Sequence, residues 1–284
     1  MTTAISFQRA RRLRNRAMNC RSCAVLAAVA LFANSANAAT LLGKQVSPGG
    51  SLDLQFPLSA DFQAYAAQGG NPRPSSGRAL LFFPKNFDPA RPCPILVVSS
   101  TTDAGRTSPM DAPAYRDATM KEGWMILATD ATIRPNTESQ QWRLALVTAG
   151  LQMLRDNWPQ SSRWPVAFAG LSGGAKLSGV IAADLEKKRG VKISGLFLAG
   201  INEDTASEAY KIVQPPREFL NVPVWISSGM TDQIAPIGKQ EAIYYSLKRT
   251  GFQFVRLERF FGGHGLRGTE VQRALRWFRE VGKF

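Results

Sequence analysis

Three residue types that could perform nucleophilic catalysis occur in order along the chain. Ser172 lies among glycines in Gly170-Leu171-Ser172-Gly173-Gly174, Asp232 follows it, and His264 lies near the C-terminus. His264 is the only histidine of the chain. A serine, then an acid, then a histidine can supply a nucleophile, the carboxylate that orients its base, and the base itself. This order predicts a serine hydrolase.

Ser172 has the local setting that a serine nucleophile needs. The apolar run Val166–Ala169 predicts a strand, and Ala175–Arg189 predicts a helix that stops at a glycine. Ser172 therefore lies in a strand-to-helix turn, where the neighbouring glycines leave room for a sharp bend. The helix N-terminus also brings free N–H groups and a positive dipole end to this serine. A glycine-rich turn without chemistry is the alternative interpretation.

The acid is expected in a loop that follows a strand. Asp232 comes shortly after the predicted strand Val224–Ser227, and carboxyl ends of parallel strands face the crevice where ligands bind. Glu203 and Asp204 follow the preceding predicted strand, Ile193–Ala199, and are the rival acids. We favour Asp232 because a glycine three residues before it and a proline four residues after it suit a projecting loop.

The single histidine is predicted to be the general base. His264 lies between Gly263 and Gly265, in a loop before the last predicted helix, which favours an accessible imidazole over a core one. One histidine and one cysteine in the mature chain cannot form a conventional zinc site. No metal and no cofactor are therefore expected.

Strands and helices alternate along the chain, which predicts an α/β fold with a mostly parallel twisted sheet and helices on both faces. Two early strands are expected to be antiparallel additions at one edge. The only candidate lid, Asn202–Asn221, is too short for a large cap domain. The predicted strands are Ser51–Leu58, Arg78–Phe83, Ile95–Val98, Trp124–Ala128, Val166–Ala169, Ile193–Ala199, Val224–Ser227 and Phe252–Leu257, and the predicted helices are 142–158, Ala175–Arg189, Gln240–Arg249 and Val271–Val281.

The first 38 residues predict a cleaved export signal. Arginine-rich sequence precedes the apolar run Ala24–Ala33, and Ala36-Asn37-Ala38 supplies small residues for cleavage after Ala38. We expect residues 39–284 to form a single domain in the periplasm or outside the cell. An arginine-rich organelle transit peptide is the alternative.

Charge and cysteine content narrow the function classes. The chain carries a net charge of +14, of which six charges are arginines of the leader, so residues 39–284 carry +8. No basic stripe with interleaved aromatic residues is present, so nucleic acid is not an expected partner, whereas an anionic envelope surface is left open. Cys93 is the only cysteine after the leader, which excludes an internal disulfide of the mature chain, and we expect a packed, inert thiol.

The region from Arg78 to Phe284 resembles the α/β-hydrolase family. The nearest members are its compact esterases of the phospholipase/carboxylesterase and polyhydroxybutyrate-depolymerase-like type. The segment from Leu81 to Pro94 resembles their entry into the third strand, and Ala169–Ala175 resembles their nucleophile turn. The resemblance implies the α/β-hydrolase fold, with Ser172 as nucleophile, His264 as base and Asp232 as orienting acid.

The same resemblance implies an oxyanion hole, with one departure from the family pattern. The family usually has His-Gly after the strand that matches Ile95–Val98, whereas this chain has Ser99-Ser100-Thr101-Thr102-Asp103. This loop would give one N–H, for which we choose Thr102 over Thr101, and Gly173 would give the other.

These features together predict hydrolysis of a small-molecule or polymeric carboxylic ester through an acyl-enzyme. Two alternatives stay open. One is a peptidase of the prolyl-oligopeptidase type, which shares the order of the three residues. The other is a non-catalytic envelope-binding protein on a hydrolase scaffold, motivated by the altered loop and the positive charge.

Overall fold

The computed structural model describes residues 39–102, 105–133 and 135–284 of the chain. The predicted export signal lies outside the described residues. Ten strands and eight α-helices occur in the part that is described. The strands are β1 (Thr40–Leu41), β2 (Lys44–Gln45), β3 (Ser51–Pro57), β4 (Ser76–Phe82), β5 (Ile95–Ser99), β6 (Met125–Ala131), β7 (Val166–Leu171), β8 (Ile193–Ala199), β9 (Val224–Gly229) and β10 (Val255–Phe260). The helices are α1 (Ala60–Ala67), α2 (Ser108–Asp111), α3 (Arg116–Glu122), α4 (Gln140–Asn157), α5 (Gly173–Arg189), α6 (Thr205–Val213), α7 (Ile237–Thr250) and α8 (Gly268–Gly282).

Eight of the strands form one sheet in the order β10-β9-β8-β7-β5-β6-β4-β3. Strands β5 to β10 are parallel to their neighbours, and β4 and β3 add to the β6 side in antiparallel pairs. The prediction of a mostly parallel sheet with an antiparallel edge is confirmed. Strands β1 and β2 pair only with each other.

Two apolar cores cover the two faces of this sheet. Strand β5 is buried throughout, and its side chains alternate between the faces. Ile95 and Val97 belong to the core that α4 and α5 cover, whereas Leu96 and Val98 belong to the core that α3 and α8 cover. The helices therefore lie on both faces, and the strands are fixed by packing on both sides.

The chain reverses direction across the sheet between β5 and β7. After β5 it forms β6 on one side, then passes to β7 on the other side of β5 and continues outward to β10. Such a switch point leaves a crevice at the carboxyl ends of the two strands, where α/β proteins bind ligands. Ser99, at the end of β5, is paired in register with Gly170, just before the end of β7.

Some element boundaries differ from those predicted. The last strand begins at Val255 and not at Phe252, because a left-handed Gly251 ends α7 and the N–H of Phe252 bonds back to the carbonyl of Leu247. The short helices α1, α2, α3 and α6 were not predicted. The candidate lid contains α6 and a 3₁₀ turn at Arg217–Asn221. Among the described residues, no helix combines the length and apolarity needed to cross a bilayer.

Candidate active site

The predicted site residues lie at one edge of the sheet, beyond the carboxyl ends of its parallel strands. Ser172 directly follows β7, and Gly173 opens α5. Asp232 follows the end of β9, His264 follows the end of β10, and Thr102 follows the end of β5. Four separate loops are therefore brought to the same edge by the parallel arrangement of their strands.

Ser172 occupies a strained turn between β7 and α5. Its φ of 58° and ψ of −119° place a non-glycine residue in a region that L-amino acids avoid. A Cβ on Gly170 would collide with the backbone of Gly174, and a Cβ on Gly174 would collide with the carbonyl of Ser99. Only glycine at these positions permits so sharp a turn, which holds the serine out at the end of the strand.

Asp232 is a buried carboxylate with three hydrogen bonds. Its side chain is 1% exposed. Oδ1 accepts from the backbone N–H groups of Ile234 at 2.9 Å and Ala235 at 2.8 Å, and Oδ2 lies 2.8 Å from Nδ1 of His264. The two backbone bonds fix the carboxylate, so it can in turn fix the orientation of the imidazole.

The two rival acids have different partners. Glu203 is exposed and forms an ion pair with Lys176 at 3.3 Å. Asp204 caps the N-terminus of α6 by accepting from the N–H of Ser207 at 3.0 Å. The structure therefore brings Asp232, and neither rival, into hydrogen-bond contact with the imidazole.

His264 is presented by a loop that is tied to the loop of Asp232. The N–H of Met230 donates to the carbonyl of Phe260 at 2.9 Å, and the N–H of Thr231 donates to Gly262 at 3.0 Å. The His264 side chain is 18% exposed, and its Nδ1 faces Oδ2 of Asp232. The imidazole is thus partly accessible, as the flanking glycines predict.

Gly200, immediately after β8, is a site residue that the sequence interpretation missed. Its φ is +52°, and a Cβ there would lie 2.8 Å from Cε1 of His264 and 3.2 Å from Cδ1 of Leu171. The imidazole and the residue before Ser172 therefore both lie against this glycine. A glycine directly after a buried strand was the available signal, since it marks either a turn or a close approach.

Ser172 and His264 are carried by different loops and form no direct hydrogen bond among the described residues. Catalytic hydrogen bonds are often long in an unliganded enzyme and shorten when substrate binds.

Backbone N–H groups near Ser172 could stabilise a negative oxygen. The N–H of Ser172 itself is occupied by the carbonyl of Ala199 at 2.9 Å, whereas that of Gly173 belongs to the first turn of α5, whose N–H groups lack partners within the helix. A Cβ on Gly173 would lie 3.2 Å from Cα of Thr101, so the loop after β5 contacts this turn. Thr102 is the next residue of that loop.

Other reactive groups lie elsewhere or are inert. Cys93 is buried, as predicted, and burial raises the pKa of its thiol to about 12. No group of three or more His, Cys, Asp or Glu side chains that could hold a metal ion occurs in residues 39–102, 105–133 and 135–284.

Comparisons with known proteins give matches at the level of structure. No family model and no curated protein matches the sequence. A bacterial heroin esterase is similar over 83% of this chain and 86% of its own, with a TM-score of 0.58 and 16% identity. A hyperthermophilic esterase from the archaeon Pyrobaculum calidifontis is similar over 83% and 84%, with a TM-score of 0.55 and 15% identity.

A further match is a thermostable carboxylesterase cloned from a metagenomic library. It is similar over 84% of this chain and 91% of its own, with a TM-score of 0.54 and 15% identity. The chain has the α/β-hydrolase fold. The predicted fold class is thereby confirmed.

Proposed function

We propose that the protein is an exported serine hydrolase that cleaves carboxylic esters. The proposal is carried by the part-buried Asp232–His264 hydrogen bond of 2.8 Å, at the same edge of the sheet as a serine in a strained strand-to-helix turn. If the turn were only structural, glycine would fit the positive φ of position 172 with less strain than serine. If Asp232 only capped its loop, the two backbone hydrogen bonds of Oδ1 would be sufficient, whereas Oδ2 also contacts the imidazole of His264.

The mechanism follows from these parts. Ser172 Oγ attacks the ester carbonyl while Nε2 of His264 accepts its proton, and Asp232 holds the proton on Nδ1. The N–H groups of Gly173 and Thr102 stabilise the oxyanion, a contribution of about 3 kcal/mol per donor. The imidazolium then protonates the leaving alcohol, and water, deprotonated by His264, releases the acid and restores Ser172.

The fold comparisons support an ester as substrate. The similar structures are esterases, although identities of about 15% establish only the fold for this chain. The finer grouping with phospholipase/carboxylesterase and polyhydroxybutyrate-depolymerase-like enzymes rests on the motifs around Leu81 and Ser172.

The surroundings of the site favour short acyl esters or accessible polymeric esters. Met230 and Ile234, on the Asp232 loop, are 57% and 59% exposed, and Phe261, on the His264 loop, is 83% exposed. These exposed apolar side chains belong to the loops that carry Asp232 and His264. Exposed apolar groups at a binding site would contact the acyl or alcohol part of a substrate.

Hydrolysis of a panel of p-nitrophenyl esters tests this function. Replacement of Ser172 by alanine should lower kcat by roughly 10³- to 10⁶-fold while circular dichroism stays unchanged. A peptide panel run in parallel distinguishes an esterase from a peptidase. Full turnover by a folded Ser172→Ala protein would refute the mechanism.

The export proposal has a separate test. Cleavage after Ala38 predicts that secreted or periplasmic protein begins at Ala39, which N-terminal sequencing measures directly. Protein found in the cytoplasm with the arginine-rich leader still attached would refute export without affecting the ester chemistry.

A further inference from the structure

Arg143, on α4, is a buried arginine behind the loop that follows β5. It is 2% exposed and is the one buried arginine of the described residues. It lies in the first turns of a helix whose neighbouring positions are mostly apolar and buried. A charge in such a position is unfavourable unless several polar partners surround it.

The guanidinium has partners on three sides. It forms an ion pair with the carboxylate of Glu138, it donates from Nη1 to Oγ of Ser108, and it donates from Nη2 to the carbonyl of Thr101 at 3.0 Å. A longer contact of 3.4 Å reaches the carbonyl of Arg106. The planar fork of arginine can satisfy such a set, whereas a lysine ammonium cannot span it.

These contacts hold the loop after β5 at two successive positions. Ser108 Oγ, which accepts from Arg143, also accepts from the N–H of Ser100 at 3.3 Å. Arg143 itself holds the carbonyl of Thr101. The backbone that leads to Thr102 is therefore fixed from the interior of the protein, and not by a glycine of the kind in the His-Gly pattern.

The bond to Thr101 determines the direction of a neighbouring N–H. The carbonyl of Thr101 and the N–H of Thr102 belong to one planar trans peptide, so they point in opposite directions. A carbonyl directed at Arg143 turns the N–H of Thr102 away from the guanidinium. A charged donor on the carbonyl also polarises the peptide and makes that N–H a stronger donor.

The charge of the arginine is retained in this environment. Burial lowers the pKa of Arg143, but the carboxylates of Glu138, Asp130 and Asp111 oppose the shift. An arginine side chain stays protonated at neutral pH even after a substantial downward shift. The guanidinium therefore acts as a permanent cation behind the loop.

We propose that Arg143 is a positioning residue of the oxyanion hole, which aims and polarises the N–H of Thr102 through the carbonyl of Thr101. This inference rests on the proposed function, because it assumes that the loop stabilises an oxyanion. It accounts for the absence of the family's His-Gly pair. The orientation that a glycine-containing loop obtains from its own conformation is supplied here by a buried cation.

Replacement of Arg143 by methionine tests the proposal in the full chain. The measurements are kcat and KM for p-nitrophenyl butyrate, and the inhibition constant of an alkyl trifluoromethyl ketone, whose adduct with Ser172 carries the oxyanion. We expect kcat to fall about 10²-fold, the inhibition constant to rise by a similar factor, and KM to change less than threefold. A merely structural role would not couple kcat to ketone affinity at constant KM.

Matched variants separate positioning from stability. Arg155→Met makes the same change on the same helix, near the opposite end of the sheet, and should leave kcat and ketone affinity unchanged. If Arg143→Met does not fold, Glu138→Leu/Arg143→Met replaces the buried pair by apolar groups, a change that proteins often tolerate. The double variant should show the same loss of kcat and ketone affinity, and Arg143→Lys should show about a tenfold loss of both.

Two results would overturn the proposal. One is a folded variant without the guanidinium whose kcat stays within threefold of wild type. The other is a loss of kcat without a matching loss of ketone affinity. Either would leave the esterase function intact if the unmodified protein is active. An unmodified protein that neither hydrolyses esters nor binds the ketone would overturn both proposals.

Discussion

Two carboxylates, Asp232 and Glu186, lie at opposite ends of the sheet. Their comparison separates a carboxylate with catalytic partners from one whose pKa is only shifted by burial. Asp232, beyond the carboxyl end of β9, is buried with hydrogen bonds on both oxygens. Glu186, on α5, lines a cavity of about 690 Å³ near the amino ends of the strands. Its Oε2 is buried and has no hydrogen-bond partner in the described residues. The two groups are chemically alike and differ in their connections.

The hydrogen bonds of Asp232, and not the shifted pKa of Glu186, are the basis for proposing Asp232 as the functional carboxylate. Burial raises the pKa of Glu186 to about 7, and the nearby charge of Glu218 adds to the effect. A strongly shifted group in a large cavity is a common sign of an active site. No histidine lies beside Glu186, because the single histidine of the chain is bonded to Asp232. The partners of each carboxylate therefore favour the Asp232 end of the sheet over the Glu186 end as the place of the proposed site.

Of the substitutions that test this comparison, Asp232→Asn should have the largest effect on kcat. The amide can present its N–H₂ group to Nδ1 and so hold the wrong tautomer, and kcat should fall about 10⁴-fold with the fold intact. Steady-state kinetics on p-nitrophenyl esters measure it. Asp204→Asn retains a capping side chain and Glu203→Gln is exposed, so both should be nearly silent. If either of these proves the sensitive position, the acid is assigned to the wrong strand.

A matched pair of glycine substitutions, one at each end of the sheet, should distinguish an effect on activity from an effect on stability alone. Gly200 and Gly190 have similar left-handed backbones, with φ of +52° and +60°. Alanine at Gly200 would press on the His264 ring, whereas alanine at Gly190 would meet nothing within 4 Å. Both variants should lose about 1–2 kcal/mol of unfolding free energy.

Only Gly200→Ala should also lower kcat/KM, by roughly 10- to 100-fold, because the imidazole is displaced. Chemical denaturation and ester kinetics on the same samples measure both effects. Equal activity in the two alanine variants would show that Gly200 does not support the imidazole.

The residues of the proposed site could be selected from the sequence because their signals are local. The glycines around Ser172, the single histidine and the apolar runs before each loop are all visible in the sequence. The parallel sheet then follows from the alternation of strands and helices, and it requires the loops to meet at one edge. Interactions that depend on long-range packing were not predicted.

Arg143 and Gly200 illustrate what the sequence does not reveal. Arg143 occupies a helical position at the spacing of apolar residues, so its burial could have been inferred, but its contact with Thr101 joins residues 42 apart in sequence. Gly200 lies against the imidazole of His264, which is 64 residues later in the chain (264 − 200). Such contacts depend on the register of neighbouring strands, which periodicity alone does not define.

The smallest effect on activity is expected at Glu186. In the folded chain Glu186 keeps its proton up to about pH 7, whereas in the unfolded chain it ionises near its ordinary value of 4.5. Folding stability therefore falls as pH rises through this window and stays lower above it. Glu186→Gln should melt a few degrees higher than wild type at pH 8 and at the same temperature at pH 4, with unchanged kcat.

Melting curves at the two pH values measure this difference, and Glu203→Gln serves as the control on an exposed carboxylate. A loss of ester hydrolysis in Glu186→Gln would contradict the assignment of the site to the Asp232 end of the sheet, since it would show that the cavity near Glu186 takes part in the reaction.

Covalent labelling by a fluorophosphonate tests the central claim most directly. Only a serine activated by a neighbouring base reacts at a useful rate with this reagent. Intact mass and peptide mapping should show one adduct per chain, carried by Ser172, and none in Ser172→Ala. A folded protein that takes up no label, or that carries the label on another residue, would contradict the assignment of Ser172, His264 and Asp232 as the catalytic residues.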